Sequence, residues 1–189
     1  MAAIPSAMIP LGTPCPAFEL PDTVSGRAVR LQDFDGSPAL LVMFICNHCP
    51  FVKHIRDELA RLGREYRSRG VGIVAISSND AAKYPADGPE QMREEARAAG
   101  YDFPYLYDES QDVARAFGAA CTPDFFVYDR QRRLAYRGQL DASRPPGRSA
   151  AGEIPVTGKD LRSALEAVLA GRPVPGQQLP SIGCNIKWK

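Results

Sequence analysis

The longest unbroken apolar stretch of the 189-residue chain covers residues 39–46 and runs straight into Cys46-Asn47-His48-Cys49-Pro50. An apolar run of this length, bounded by turn-forming residues, predicts a strand buried on both faces, which has no solvated side to demand alternation. Over residues 50–69 the apolar positions Val52, Ile55, Leu59, Leu62 and Tyr66 recur every third or fourth residue, and Gly70 follows. That spacing is one stripe of an amphipathic helix. Pro50 suits its first position, where the missing N–H would have had no partner. Residues 71–76 form a second β-branched run. Strand, crossover helix and strand together predict a right-handed βαβ unit with parallel pairing.

The remaining pattern is shorter in period. Residues 1–16, with four prolines, read as an extended lead-in. Residues 18–20 and 28–31 flank a turn-rich segment, which predicts a hairpin. Residues 77–89 are polar and punctuated and read as a surface loop. Residues 90–99 predict a helix stopped by Gly100, and Pro104-Tyr105-Leu106-Tyr107 a short strand. Asp108 is placed to cap a helix ending at Phe117 and Gly118. Residues 125–128 and 134–137 predict another hairpin, and residues 141–155 a loop over the surface. Thr157-Gly158-Lys159-Asp160 has a capping-box pattern before a helix with Leu161, Leu165, Val168 and Leu169 inward. In the tail Ile182, Cys184, Ile186 and Trp188 alternate, as in an edge strand. The sum is an α/β fold, a central mixed sheet with helices on both faces. We find no repeat and no linker between two cores, so a single domain over residues 1–189 is expected. It divides into an N-terminal extension and hairpin (1–37), a core (38–172) and a tail (173–189).

Composition narrows the function. With 23 basic and 22 acidic residues the net charge is +1, and 44% of the chain is apolar. That balance argues against nucleic-acid or membrane-surface binding driven by charge. No apolar run is long enough to span a bilayer and the first residues lack a signal-peptide pattern, so a cytoplasmic location is expected. Five cysteines, at 15, 46, 49, 121 and 184, fit a structural disulfide framework poorly. In a reducing compartment a close cysteine pair points to redox chemistry or metal binding.

Cys46 and Cys49 have the C-x-x-C spacing between a strand and a helix. Cys49 falls at the helix start, where free amides and the helix dipole favour the thiolate. We therefore assign Cys49 as nucleophile and Cys46 as its resolving partner. His48 between them can lower the thiol pKa as imidazolium or relay a proton as imidazole. A Cys46/Cys49/histidine metal site would need a further ligand, such as Cys184. No metal and no organic cofactor are expected. Lys53 and His54 read as surface residues, and Cys15, between two prolines, as structural.

Phe-Glu-Leu-Pro-Asp at 18–22, residues 44–53, Thr122-Pro123-Asp124-Phe125-Phe126-Val127-Tyr128, residues 155–161 and the tail 181–189 together resemble the thioredoxin superfamily. The nearest resemblance is to its alkyl hydroperoxide reductase/thiol-specific antioxidant, or peroxiredoxin-like, members. The resemblance implies a thioredoxin-like fold with a cis bond at Thr122-Pro123 facing Cys49. It also implies that a substrate's backbone pairs beside Thr122, with Pro123 and Pro50 lining the site. Cys121 then lies across the groove from Cys49 as a second candidate resolving thiol, and Cys184 is a distal one. In the thioredoxin register Val52 stands where the usual resolving cysteine would be. In the peroxiredoxin register Cys46 replaces the expected threonine or serine. Arg144 matches the pattern without an assigned role. The activity implied is thiol–disulfide oxidoreduction on a protein or small-molecule disulfide, with a thiol system as reductant. The alternatives are a peroxidase working through a Cys49 sulfenate, and a non-catalytic or metal-carrying binding protein. A homodimer is compatible with the alternating tail.

Overall fold

The computed structural model describes residues 3–148 and 153–189. In chain order its strands are β1 (Ala3–Pro5), β2 (Glu19–Pro21), β3 (Ala28–Arg30), β4 (Leu40–Phe44), β5 (Gly72–Ser77), β6 (Tyr105–Tyr107), β7 (Cys121–Thr122), β8 (Asp124–Tyr128), β9 (Leu134–Gly138) and β10 (Ile182–Asn185). The helices are α1 (Pro50–Arg67), α2 (Pro89–Ala99), α3 (Asp112–Phe117) and α4 (Lys159–Leu169). The central sheet has the order β6-β5-β4-β8-β9. Strands β4, β5 and β6 are parallel, whereas β8 and β9 run antiparallel to their neighbours. β2 and β3 form the expected hairpin.

β4 lies at the middle of this sheet and every one of its residues is buried. Its side chains alternate between two cores, as the two-residue period of a strand requires. Leu41 and Met43 pack with Val52, Ile55, Leu59 and Leu62 of α1 and with Leu161 and Leu165 of α4. Leu40, Val42 and Phe44 face the other way, toward Phe18, Leu20, Phe117 and Phe126. The Phe117 ring meets Phe44 edge-on at 5.5 Å. Helices therefore cover both faces of a mixed sheet, the expected fold class. Gly118, at φ 64°, closes α3 in the left-handed region that glycine tolerates best.

Six local expectations need correction. The lead-in contains strand β1, though residues 1–2 lie outside the described residues. Residues 77–89 are a surface loop only in part: residues 82–86 are exposed, but Ser77, Ser78, Asn79, Asp80 and Asp87 are buried, Ser78 donating to Asp108 and Asn79 to Asp87 while Asn79 accepts the Lys187 amide. α3 starts at Asp112, and Asp108 reaches forward to accept the amide of Ala114 at 2.9 Å rather than occupying the cap itself. The capping box at 157–160 does not form. Asp141, from the preceding loop, accepts the amides of Thr157 and Gly158 at 2.7 Å each. That loop is partly internal at Asp141 and Ser143, while residues 149–152 lie outside the described residues. The tail strand is not an edge: β10 runs between β1 and β7 in a three-stranded antiparallel sheet. Most of these misses share a cause, a polar side chain or strand partnered by a segment outside the pattern being read.

Asp124, on β8 beside Pro123, is fully buried, and burial pushes its carboxyl up to about 8. A carboxyl raised in the folded state adds stability below its ordinary value near 4, which is lost as pH rises through about 8. Asp124→Asn should therefore flatten the fall in unfolding free energy between those values, measured by urea melts across the range. An unchanged slope would refute the buried, proton-holding carboxyl.

Candidate active site

β4 ends at Phe44, and the chain then turns through Ile45–His48 before α1 begins. Cys49 is the N-cap residue of α1, and its carbonyl accepts the amides of Val52 at 3.1 Å and Lys53 at 3.0 Å. Pro50 occupies the first helical position and is exposed, whereas Cys49 behind it is not exposed at all. Across from this turn, Thr122-Pro123 is a cis peptide at the end of β7. When protonated, Cys49 Sγ donates to the Thr122 carbonyl at 3.1 Å, and Cys46 Sγ lies 3.3 Å from Thr122 Oγ1. Cys46, Cys49, Thr122 and Pro123, distant in sequence, are thus brought to one point.

The two cysteines of the turn are pushed in opposite directions. The Cys46 thiol facing Cys49 is the largest influence on it, outweighs the cost of burial, and brings Cys49 down to about 5. Thr122 and Cys184 pull the same way. Cys46 is held well above the ordinary thiol range by its bond to Cys49, by burial and by the nearby Asp87 carboxylate. Cys49 is the thiolate of the pair and Cys46 its proton-bearing neighbour. All five cysteines are free thiols.

Asp87 is the residue that sequence reading missed. It sits at the end of a 3-10 turn, Pro85–Asp87, and is fully buried. One carboxylate oxygen accepts the amides of Asn47 at 2.9 Å and His48 at 3.2 Å. The other accepts His48 Nδ1 at 2.5 Å and Asn79 Nδ2 at 2.8 Å. This partner assigns the imidazole proton to Nδ1 and leaves Nε2, enclosed and without a partner, as a proton acceptor. Tyr84 stacks on the imidazole at 5.4 Å. No sequence motif ties Asp87 to the turn, because the two are 39 residues apart. Only the Asp-Gly-Pro punctuation before α2 hinted at a fixed loop there.

Of the other candidates, Cys184 is brought in and Cys121 is held back. β10 places Cys184 opposite Thr122, and its thiol and amide both face Cys49. Burial and the Cys49 charge raise Cys184 to about 11. Cys121 is fully buried, its thiol turned to the Pro123 carbonyl at 3.6 Å, and burial raises its pKa strongly. Lys53 is exposed, as expected. His54 is half-buried with Nε2 enclosed, so its surface assignment is corrected, and burial lowers its pKa. Cys15 is half-buried, and Arg144 donates to the Asp141 and Ser143 carbonyls and to Gln139. Cys46, His48 and Asp87 could each offer a metal one ligand atom, all within 4.8 Å of one another. Asp87, with four donors already on its two oxygens, is the least free of the three. No described helix is long and apolar enough to cross a membrane.

Two outcomes follow from this geometry. The alkylation rate of Cys49 should rise with a midpoint at about 5. Cys46→Ala, which removes the largest donor, should move that midpoint upward; a midpoint that stays put would mean that Cys46 does not set it. Asp87→Ala leaves buried amides of Asn47 and His48 unpaired and should cost about 3 kcal/mol in a denaturant melt. A loss under about 0.5 kcal/mol would show the turn holds its shape without the carboxylate.

Two kinds of curated relative carry redox names. A conserved protein from Geobacillus kaustophilus shares 56% identity and a TM-score of 0.94 with it, over 100% of this chain and 97% of that one. A Mycobacterium tuberculosis relative with a peroxiredoxin name is 31% identical over 57% of this chain and 63% of its own length. Thiol-disulfide oxidoreductase ResA of Geobacillus thermodenitrificans is 27% identical over 67% of each chain. A thioredoxin domain from Bacteroides vulgatus is among the structural neighbours, at 17% identity a likeness of fold alone. The fold is thioredoxin-like. The model of the AhpC/TSA family matches residues 11–137, from ahead of the first hairpin to β9, and the chain belongs to that family.

Proposed function

We propose that this protein is a thiol–disulfide oxidoreductase in which Cys49 attacks and Cys46 resolves. One observation carries the reading: within a single C-x-x-C turn at a helix N-terminus, the two thiols have opposed proton affinities. Divergent pKa values within a pair assign the roles of the pair. The Cys49 thiolate attacks one sulfur of a disulfide, forming a mixed disulfide and expelling a thiolate that takes up a proton. Cys46 then gives up its proton, with the His48 imidazole of the same turn as the candidate acceptor, and attacks Cys49 Sγ. The second substrate thiolate leaves and a Cys46–Cys49 disulfide remains. Two electrons have passed from the cysteine pair to the substrate, and an external dithiol reductant restores the pair.

Hydroperoxide reduction through a Cys49 sulfenate is the second reading, supported by the relative with a peroxiredoxin name. A thiolate at this position would serve either chemistry.

Peptide mass spectrometry after one equivalent of oxidised glutathione should give a Cys46–Cys49 bond. Cys49→Ser should lower disulfide turnover by about a hundredfold or more, whereas Cys46→Ser should accumulate the Cys49 mixed disulfide. A Cys49 sulfenate formed rapidly by peroxide, with slow exchange on glutathione disulfide, would favour the peroxidase. A free Cys49 after both oxidants would end both readings.

A further inference from the structure

We infer that the C-terminal strand permanently fills the strand-pairing edge beside Cys49, so that the substrate is a small disulfide and not a polypeptide. The inference rests on the exchange chemistry proposed above. An extended peptide commonly reaches a binding site by adding a strand to an exposed sheet edge, main chain to main chain. The edge beside Cys49 belongs to β7, whose Thr122 carbonyl accepts the Cys49 thiol at 3.1 Å. In this chain β10 pairs with that edge, Cys184 opposite Thr122 and Asn185 opposite Cys121. Cys184 therefore stands where the cysteine of an incoming strand would stand, with its thiol facing Cys49.

β10 is built in rather than laid on. Its far edge is taken by β1, with Ala3 opposite Cys184. Before it, Ser181 donates to the Pro123 carbonyl at 2.7 Å and its amide donates to Ser6 at 2.9 Å. After it, Ile186 donates to the Ala120 carbonyl at 3.1 Å, and Lys187 donates to Asn79 at 2.8 Å. Gln111 accepts the Lys189 amide at 2.9 Å and donates to the Lys187 carbonyl at 2.8 Å. Gly183 permits the close fit: a Cβ there would lie 2.0 Å from the Thr122 carbonyl oxygen, so only glycine lets β10 approach β7 this closely.

A polypeptide would have to displace this strand and both of its anchors before its sulfur met Cys49. A small disulfide needs no main-chain partner. A surface cleft of about 480 Å³ is lined by Phe51, two residues beyond Cys49, and by Ile182, two residues before Cys184. Opening the edge to a polypeptide means unpairing β10 from β7.

The test uses the full-length protein with dithiothreitol as reductant and two substrates, oxidised glutathione and insulin. The wild type should turn over glutathione disulfide and leave insulin at background. Gly183→Ala, which drives β10 off β7, should raise the ratio of insulin to glutathione reduction about tenfold or more. Because that variant can lose its fold, hydrogen exchange on the wild type supplies a second readout: amides across residues 121–122 and 182–185 should be protected. Wild-type insulin reduction at the glutathione rate, or rapid exchange of those amides, would overturn the filled edge. A folded Gly183→Ala that has lost their protection and still ignores insulin would do the same. Protected amides with neither substrate turned over would instead overturn the exchange chemistry itself.

Discussion

The constraint on which the rest depends is that β4 is covered on both faces. A strand with helices over each side can place chemistry only where it emerges, and it emerges at the turn of Cys46 to Cys49. α1 must begin at once to cover one of the two faces with Val52, Ile55, Leu59 and Leu62. The second cysteine is thereby fixed at a helix N-terminus by packing alone. Its position is a by-product of the core: the same proline and apolar stripe that bury α1 set Cys49 at the helix start, within reach of Cys46, which lowers its pKa most.

This is why so much could be read from the sequence. Periodicity located β4, α1 and β5 because their burial is local in origin, and Pro50 and Gly70 marked the helix ends. The place of Cys49 at the helix start was legible for the same reason, since it follows from one strand, one turn and one helix. Asp87 was not legible. Its partners are Asn47, His48 and Asn79, which belong to two different loops, and an aspartate in a polar, proline-punctuated segment carries no sign that it will be buried with four donors. The tail was half legible. Alternation revealed a strand, but the choice between an edge and the middle of a second sheet depends on β1 and β7, and their short lengths leave almost no pattern to read.

The two long-range contributions act on the turn in complementary ways. Asp87 is a fixed negative charge on the Cys46 side, and it holds Cys46 protonated. Cys184 approaches Cys49 from the other side and adds donors to the thiolate. The hydrogen bond between the two thiols dominates the local field, and these two contributions add to it in keeping one thiol neutral and the other ionised. A histidine locked to Asp87 through Nδ1 completes the arrangement with a free acceptor at Nε2.

That field also orders the two steps of the proposed reaction. Cys46 keeps its proton chiefly because it donates to Cys49, with burial, the Asp87 charge and the Cys49 charge adding to the hold. Once Cys49 has formed a mixed disulfide it bears no charge and accepts a hydrogen bond only weakly. Two of the influences holding the Cys46 proton, including the largest, then vanish together, while burial and Asp87 remain. The first exchange thus lowers the cost of ionising the thiol needed for the second. Cys46 cannot compete as nucleophile before substrate is bound, and it becomes competent because substrate is bound. A pair with equal proton affinities would lack this order, and either sulfur could attack first.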